Sequence, residues 1–159
     1  MTIKEYVMVK EIRLAIIGLG NIGRNLLDIL VARQEAISKD YGLHISLVAA
    51  ADSSGAALDE HGLDLAALRD IKLARRGAAT YPGAGHYGKT GLEMLHDMAF
   101  DVLVDASPTN MVDGDPGMSC VRYALGNGRH VVMADKGPLV LAFGELTALA
   151  QSTGARQPC

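Results

Sequence analysis

Between Arg13 and Gly23 the chain passes from an apolar run, Leu14-Ala15-Ile16-Ile17, through Gly18-Leu19-Gly20-Asn21-Ile22-Gly23 into a segment with helical spacing. A strand, a glycine-rich turn and a helix start in that order leave few folds open. Gly18 permits the tight turn off the strand, and Gly23 lets helix and strand pack closely. Gly20 lacks the Cβ that would hold the backbone away from a pyrophosphate. Free N–H groups at the helix start, with the positive end of its dipole, face an anion there, and Asn21 and Ile22 belong to the same turn. The pattern is that of a dinucleotide-binding unit; its weight comes from the flanking strand and helix rather than from the glycines alone. The helix is expected to bury Ile22, Leu26, Ile29, Leu30 and Ile37 and to turn Arg24, Asn25, Asp28 and Arg33 largely outward.

A second apolar run, Ile45 to Ala51, closes on Asp52. A carboxylate at the end of that strand can accept hydrogen bonds from both ribose hydroxyls. The spacing from the glycines exceeds the usual ~20 residues, an excess that a long first helix and the loop Lys39-Asp40-Tyr41-Gly42 absorb. The other reading of Asp52 is a turn former ahead of Ser53-Ser54-Gly55. Because a carboxylate disfavours a ribose phosphate, the expected cofactor is NAD or NADP with a lean to NAD, which a nearby Arg or Lys would reverse.

Further along, Leu63–Ile71 reads as a short helix and Gly77 to Gly88 as a glycine-rich loop. Thr90-Gly91-Leu92-Glu93 fits a capping box ahead of an apolar stripe at Leu92, Leu95 and Met98. Val102-Leu103-Val104-Asp105-Ala106 is a buried third strand followed by Ser107-Pro108-Thr109-Asn110. Asp115 and Pro116 suit the first turn of a helix carrying Met118, Val121, Ala124 and Leu125, which Gly126-Asn127-Gly128 ends. His130 to Ala134 forms a fourth strand, and Asp135-Lys136-Gly137-Pro138 opens a last helix that stops near Gly154. Strands alternating with helices specify an α/β fold: a Rossmann-like, doubly wound parallel sheet in a single domain over residues 1–155. Ligands in such sheets bind beyond the carboxyl ends of the strands, where the loops at Gly18–Gly23, Asp52–Gly55, Ser107–Asn110 and Asp135–Pro138 would meet.

A chain of 159 residues with a net charge of −3 can bury one real core and has no electrostatic footprint for nucleic acid. Arg75-Arg76 reads as solvated surface. No apolar run reaches the ~18 residues of a membrane span, and residues 1–6 do not lead into a signal-peptide core, so a cytoplasmic protein is expected. Cys120 and Cys159 form no C-x-x-C pair, and His44, His61, His86, His96 and His130 show no ligand spacing; no metal site is expected. Cys120 reads as a small buried residue.

One motif competes. Gly83-Ala84-Gly85-His86-Tyr87-Gly88-Lys89-Thr90 matches the phosphate loop G-x-x-x-x-G-K-[ST], with Asp105 as a possible metal-associated acid. Its mechanics need a buried strand before the loop, and Gly77 to Pro82 is not one. An NTPase built on Gly83–Thr90 is therefore the unfavoured alternative, beside a non-catalytic dinucleotide-binding or interaction module.

Gly18–Gly23, then Ser107-Pro108-Thr109-Asn110, then Gly128-Arg129-His130-Val131-Val132-Met133-Ala134-Asp135-Lys136-Gly137-Pro138-Leu139 together resemble the amino-terminal NAD(P)-binding domain of homoserine dehydrogenase, from about Ile12 to Ala155. The resemblance implies an oxidoreductase that interconverts L-aspartate 4-semialdehyde and L-homoserine with a nicotinamide dinucleotide, on the route to threonine and methionine. By that resemblance Lys136 is the active-site lysine of the A-[ND]-K-G-P motif, donating the proton or positioning substrate, and Ser107, Pro108, Thr109 and Asn110 lie beside the nicotinamide. The family continues into a substrate and dimerisation domain, whereas residues 156–159 match no part of it. The expectation is a truncated chain that binds the dinucleotide, meets its small-molecule substrate only with the missing domain, and does not turn over alone.

Overall fold

The computed structural model describes residues 8–157, so the expectations placed on residues 1–6 and on Cys159 lie outside the described residues. Along the chain run β1 (Lys10–Ile17), α1 (Asn21–Tyr41), β2 (Leu43–Asp52), β3 (Gly55–Leu58), α2 (Leu65–Leu73), a 3-10 turn (Ala78–Thr80), β4 (Gly85–Tyr87), α3 (Gly91–Asp97), β5 (Val102–Asp105), α4 (Gly117–Gly126), β6 (His130–Met133) and α5 (Gly137–Thr153). The strands make one sheet in the order β4-β3-β2-β1-β5-β6.

β1 pairs in parallel with β2 and with β5, and β5 pairs in parallel with β6. Each side chain along β1 therefore alternates between two apolar layers. Leu14 and Ile16 pack with Leu27, Leu30, Leu47 and Leu68 under α1 and α2. Ala15 and Ile17 face Met94, Val121, Leu125 and Leu146 of α3, α4 and α5. Full burial of such a leucine contributes about 1.5–3 kcal/mol, so the two layers hold the sheet rigid beneath its loops. A register shift between Leu14 and Ala15 leaves Val48 as an extra residue in β2. The carbonyls at that irregularity are still satisfied: Asp59 N–H donates to Val48 O (2.9 Å) and Leu63 N–H to Leu47 O (2.7 Å).

The sheet departs from the expected parallel order at one edge. After Asp52 the chain reverses through Ser53-Ser54, so that β3 runs antiparallel to β2 and β4 antiparallel to β3. The segment expected to be loop, Gly77 to Gly88, thus holds a 3-10 turn and an edge strand. Gly85-His86-Tyr87 is too short and too polar to show a period of its own; it is a strand because β3 supplies the ladder.

α1 buries Leu30 as expected, but the rest of its inward face differs from the one expected. Its buried residues are Gly23, Leu27 and Leu30, whereas Ile22 and Ile29 are each 55% exposed. Gly23 must be the point of closest approach to β1, which selects the helix meridian at +4 and +7 from it. Ile22, one residue earlier, is rotated ~100° away.

The caps follow the sequence closely. Glu93 N–H donates to Thr90 Oγ1 (3.2 Å) and Thr90 N–H donates to Glu93 Oε2 (2.8 Å), a complete capping box. Ser119 N–H and its hydroxyl donate to Asp115 Oδ1 at 2.8 and 2.7 Å, although Pro116 rather than Asp115 occupies the backbone cap position of α4. α5 ends at Gly154 with φ +74°. Among the described residues no helix is long and apolar enough to cross a membrane, and no group of three or more His, Cys, Asp or Glu could hold a metal ion.

Candidate functional site

Where β1 gives way to α1, two glycines are demanded by neighbouring backbone and the third is not. Gly18 has φ +85°, and a Cβ on it would fall 2.3 Å from Ala106 O. A Cβ on Gly23 would fall 2.1 Å from Gly18 O, whereas one on Gly20 would meet nothing within 4 Å. The Gly18 N–H donates to Ala51 O (2.9 Å), which anchors the turn to β2. Gly20 caps α1 without a side-chain hydrogen bond, and the first turn contains no acid. The amides and dipole of a 21-residue helix are thus left unneutralised behind an open approach.

That approach opens into a cavity of about 890 Å³ at the carboxyl ends of the parallel strands. Gly18, Gly20, Asn21, Ile22, Asp52, Ser107, Pro108 and Thr109 all line it. Gly23 lies beneath the turn. Asn110 and Lys136 stand outside the lining. Asn110 Nδ2 donates to Asp113 Oδ1 (2.7 Å) and to Asp115 O (3.0 Å), and its own carbonyl oxygen lies 2.8 Å from the point a Cβ on Gly137 would occupy. Lys136 is exposed just ahead of α5.

The wall also contains residues that motif reading did not assign. Lys72, from α2, donates to Asp52 Oδ2 at 2.5 Å, and the Ala78 N–H reaches the same oxygen at 3.0 Å. Asp52 Oδ1 accepts from the Ser54 N–H (2.9 Å) and hydroxyl (2.6 Å). A carboxylate offers about four acceptor positions, and these four donors fill them. Burial alone would raise the Asp52 pKa; the hydrogen bonds from Lys72, Ser54 and Ala78 outweigh it and hold the carboxyl below its ordinary value. Lys72 lies twenty positions beyond Asp52, on another element, so no local spacing announces it.

Gly88, Lys89, Thr90 and Gly91 reach the cavity as well. Within the chain Lys89 is ion-paired with Asp97, and Thr90 closes the capping box of α3. The strand ahead of them is the three-residue edge strand β4. Cys120 lines the cavity too; burial pushes its thiol up to about 12, with Asp105 and Asp115 adding to the shift, so it stays protonated and unreactive.

Comparison with known proteins agrees with this geometry. The model of the Glutamate/Leucine/Phenylalanine/Valine dehydrogenase family matches residues 2–122. The homoserine dehydrogenase of Methanocaldococcus jannaschii is 34% identical over 139 residues, 87% of this chain and 41% of that protein. The NAD(+)-dependent homoserine dehydrogenase of Pseudomonas canavaninivorans is 34% identical over 142 residues, 89% of this chain and 40% of that protein. A hyperthermophilic archaeal homoserine dehydrogenase solved in complex with NADPH shares the fold with a TM-score of 0.78 at 23% identity, over 92% of this chain and 43% of that one. The chain thus spans about two fifths of the length of the relatives it matches. By the family match and by these relatives, the chain belongs to the Glutamate/Leucine/Phenylalanine/Valine dehydrogenase family and is a homologue of the amino-terminal NAD(P)-binding part of the homoserine dehydrogenases.

Proposed function

We propose that the chain binds a nicotinamide dinucleotide in this cavity and forms the cofactor half of an oxidoreductase site of the homoserine dehydrogenase type. The observation that carries the reading is the uncapped start of α1 behind Gly20, where an added Cβ would meet nothing within 4 Å. The cavity is at the large end of the range for cofactor pockets, and Ser107, Pro108 and Thr109 face the glycine turn across it.

A bound dinucleotide supplies the hydride for reduction of an aldehyde such as aspartate 4-semialdehyde. The chain's own residues bind and orient. The amides at Gly20 to Ile22 hold the pyrophosphate, Ser107 to Thr109 set the nicotinamide end with Asn110 behind them, and Lys136, outside the cavity lining, keeps its charge free of ion pairs among the described residues. An ammonium close to the reacting carbonyl stabilises negative charge developing on its oxygen or donates the proton to it. Because the relatives are more than twice as long, catalysis is proposed for the longer protein type and binding for these 159 residues.

Calorimetric titration of the folded chain with NADH and NADPH is expected to show one dinucleotide bound per chain; no heat and no thermal shift with either would overturn the reading. Lys72 is the nearby cation that would reverse the expected lean to NAD. Asp52 has its acceptor positions filled from within the chain, and the Lys72 ammonium beside it sits in the cavity wall. The proposal is that NADPH is taken at least as well as NADH, its ribose phosphate meeting Lys72. Lys72→Gln keeps an N–H for Asp52 and removes the charge. It should weaken NADPH by roughly tenfold or more, the loss of one charge-assisted hydrogen bond, with NADH nearly unchanged. Equal weakening of both would remove Lys72 from the discrimination.

A further inference from the structure

Asp105, at the end of β5, and Asp135, just past β6, are 0% and 2% exposed. Each uses one carboxyl oxygen to hold its own turn. Asp105 Oδ1 accepts from the Ser107 N–H (3.1 Å) and hydroxyl (2.6 Å), and Asp135 Oδ1 accepts from the Gly137 N–H (2.9 Å). The Oδ2 of each is buried without a partner. Both orphan oxygens converge on Gly117, at the start of α4. A Cβ there would lie 2.5 Å from Asp105 Oδ2, 2.9 Å from Asp135 Oδ2 and 3.1 Å from Ser107 Oγ.

Two buried carboxylates that converge on one point disfavour each other's ionisation, and each unpaired oxygen carries its own desolvation penalty. Among the described residues neither acid takes part in an ion pair. Two carboxyl oxygens and a hydroxyl are too few for Mg²⁺ or Ca²⁺, which take about six or more oxygens. The start of a helix, with its partial positive charge, disfavours a cation there and favours a single negative charge. A single proton held by the pair leaves one charge there.

We propose that Asp105 and Asp135 hold a single proton between them, and that this buried pair positions the Ser107–Asn110 turn against the turn carrying Lys136. Burial and, to a smaller extent, the charge of Asp135 push the Asp105 carboxyl above its ordinary value, against the Ser107 hydrogen bonds. The other titratable groups around the pair do not replace the proton. Cys120 of α4 stays a neutral thiol, Asp115 is exposed and engaged with Ser119, Lys136 is exposed to solvent, and the first turn of α5 brings no acid.

The sign follows from the raised value. Between the unfolded carboxyl pKa of ~3.9 and the raised folded one, the folded chain holds more protons than the unfolded chain, so stability falls as pH rises through that window. Asp135→Asn places an amide N–H where the proton was and removes the dependence. Carbon-13 NMR of aspartate-labelled protein followed across a pH titration should show one carboxyl carbon that titrates above the other aspartates, lost in Asp105→Asn and in Asp135→Asn. Thermal midpoints of the parent should fall relative to those of Asp135→Asn as pH rises through that window.

A parent in which no aspartate titrates above the ordinary carboxyl range, or a midpoint difference that does not change with pH, would overturn the shared proton. If Asp135→Asn does not fold, the parent spectrum decides alone. The positioning half rests on the proposed dinucleotide reading. Affinity for NADPH should drop in the parent as the proton leaves and stay level in Asp135→Asn; affinity that ignores the proton overturns that half. A chain that binds no dinucleotide at any pH fails the dinucleotide reading and the positioning half with it, while the NMR still decides the proton.

Discussion

Gly20→Val is expected to leave the fold in place and to lower affinity for NADH and NADPH by at least roughly a hundredfold, ~2.7 kcal/mol. The structural reason lies in the direction of the new side chain. A Cβ at Gly20 would meet nothing within 4 Å, Gly20 itself lines the cavity, and the backbone there (φ −76°, ψ −150°) is extended and open to any residue. Valine is a poorer helix cap than glycine, a cost of up to about 1 kcal/mol, so the thermal midpoint should move by only a few degrees. The isopropyl group stands between the first-turn amides and any pyrophosphate. Each charge-assisted hydrogen bond lost to that bulk removes about 1.5–3 kcal/mol, so losing two accounts for the expected effect. Calorimetry and thermal unfolding on the same preparation separate the two quantities. If the variant binds NADPH as the parent does, the start of α1 is not the phosphate site.

Gly23→Ala, three residues on, should do the reverse. Its methyl would lie 2.1 Å from the Gly18 carbonyl oxygen, a backbone atom with no rotamer to escape into. α1 must move away from β1, and Leu27 and Leu30, buried on the same meridian, lose contact with Ile16 and Leu47. Overpacking of this kind costs about 3 kcal/mol, which in a chain of this size lowers the midpoint by roughly 6–12 °C. Urea unfolding followed by circular dichroism reads it directly. A midpoint equal to that of the parent would mean that the helix does not need the close approach the glycine permits.

These two variants mark how unevenly the glycine fingerprint reads. That Gly18, Gly20 and Gly23 belong to one strand–turn–helix unit is legible from spacing, because turn, helix start and apolar run are all local. Which glycines serve the fold and which leaves room for the ligand depends on Ala106, brought by β5, and on the direction of each absent Cβ. The capping box at Thr90, the acid at Asp115 and the stop at Gly154 were equally legible, since each is a contact within a few residues. The apolar face of α1 was not: Ile22 and Ile29 satisfy a helical period as well as Leu27 and Leu30 do, and only the pinning of Gly23 against Gly18 chooses between them.

The amino-acid sequence by itself determined the five helices and the four parallel strands β1, β2, β5 and β6 in order, the glycine turn at the end of β1, and the motifs at Ser107–Asn110 and Lys136. Those depend on period, caps and short spacings, which a linear string carries. Tertiary structure alone decided the antiparallel edge after Asp52, the Lys72 ammonium that occupies Asp52 from twenty residues away, and the meeting of Asp105 with Asp135 over Gly117. In each case the partners sit on different elements, and what joins them is the pairing of β3 with β2 and β4, the packing of a helix on the sheet, or the pairing of β5 with β6. Charge and hydrogen-bonding capacity are written in single residues, but whether a carboxylate faces a ribose, a lysine or another carboxylate is a property of where the chain brings it.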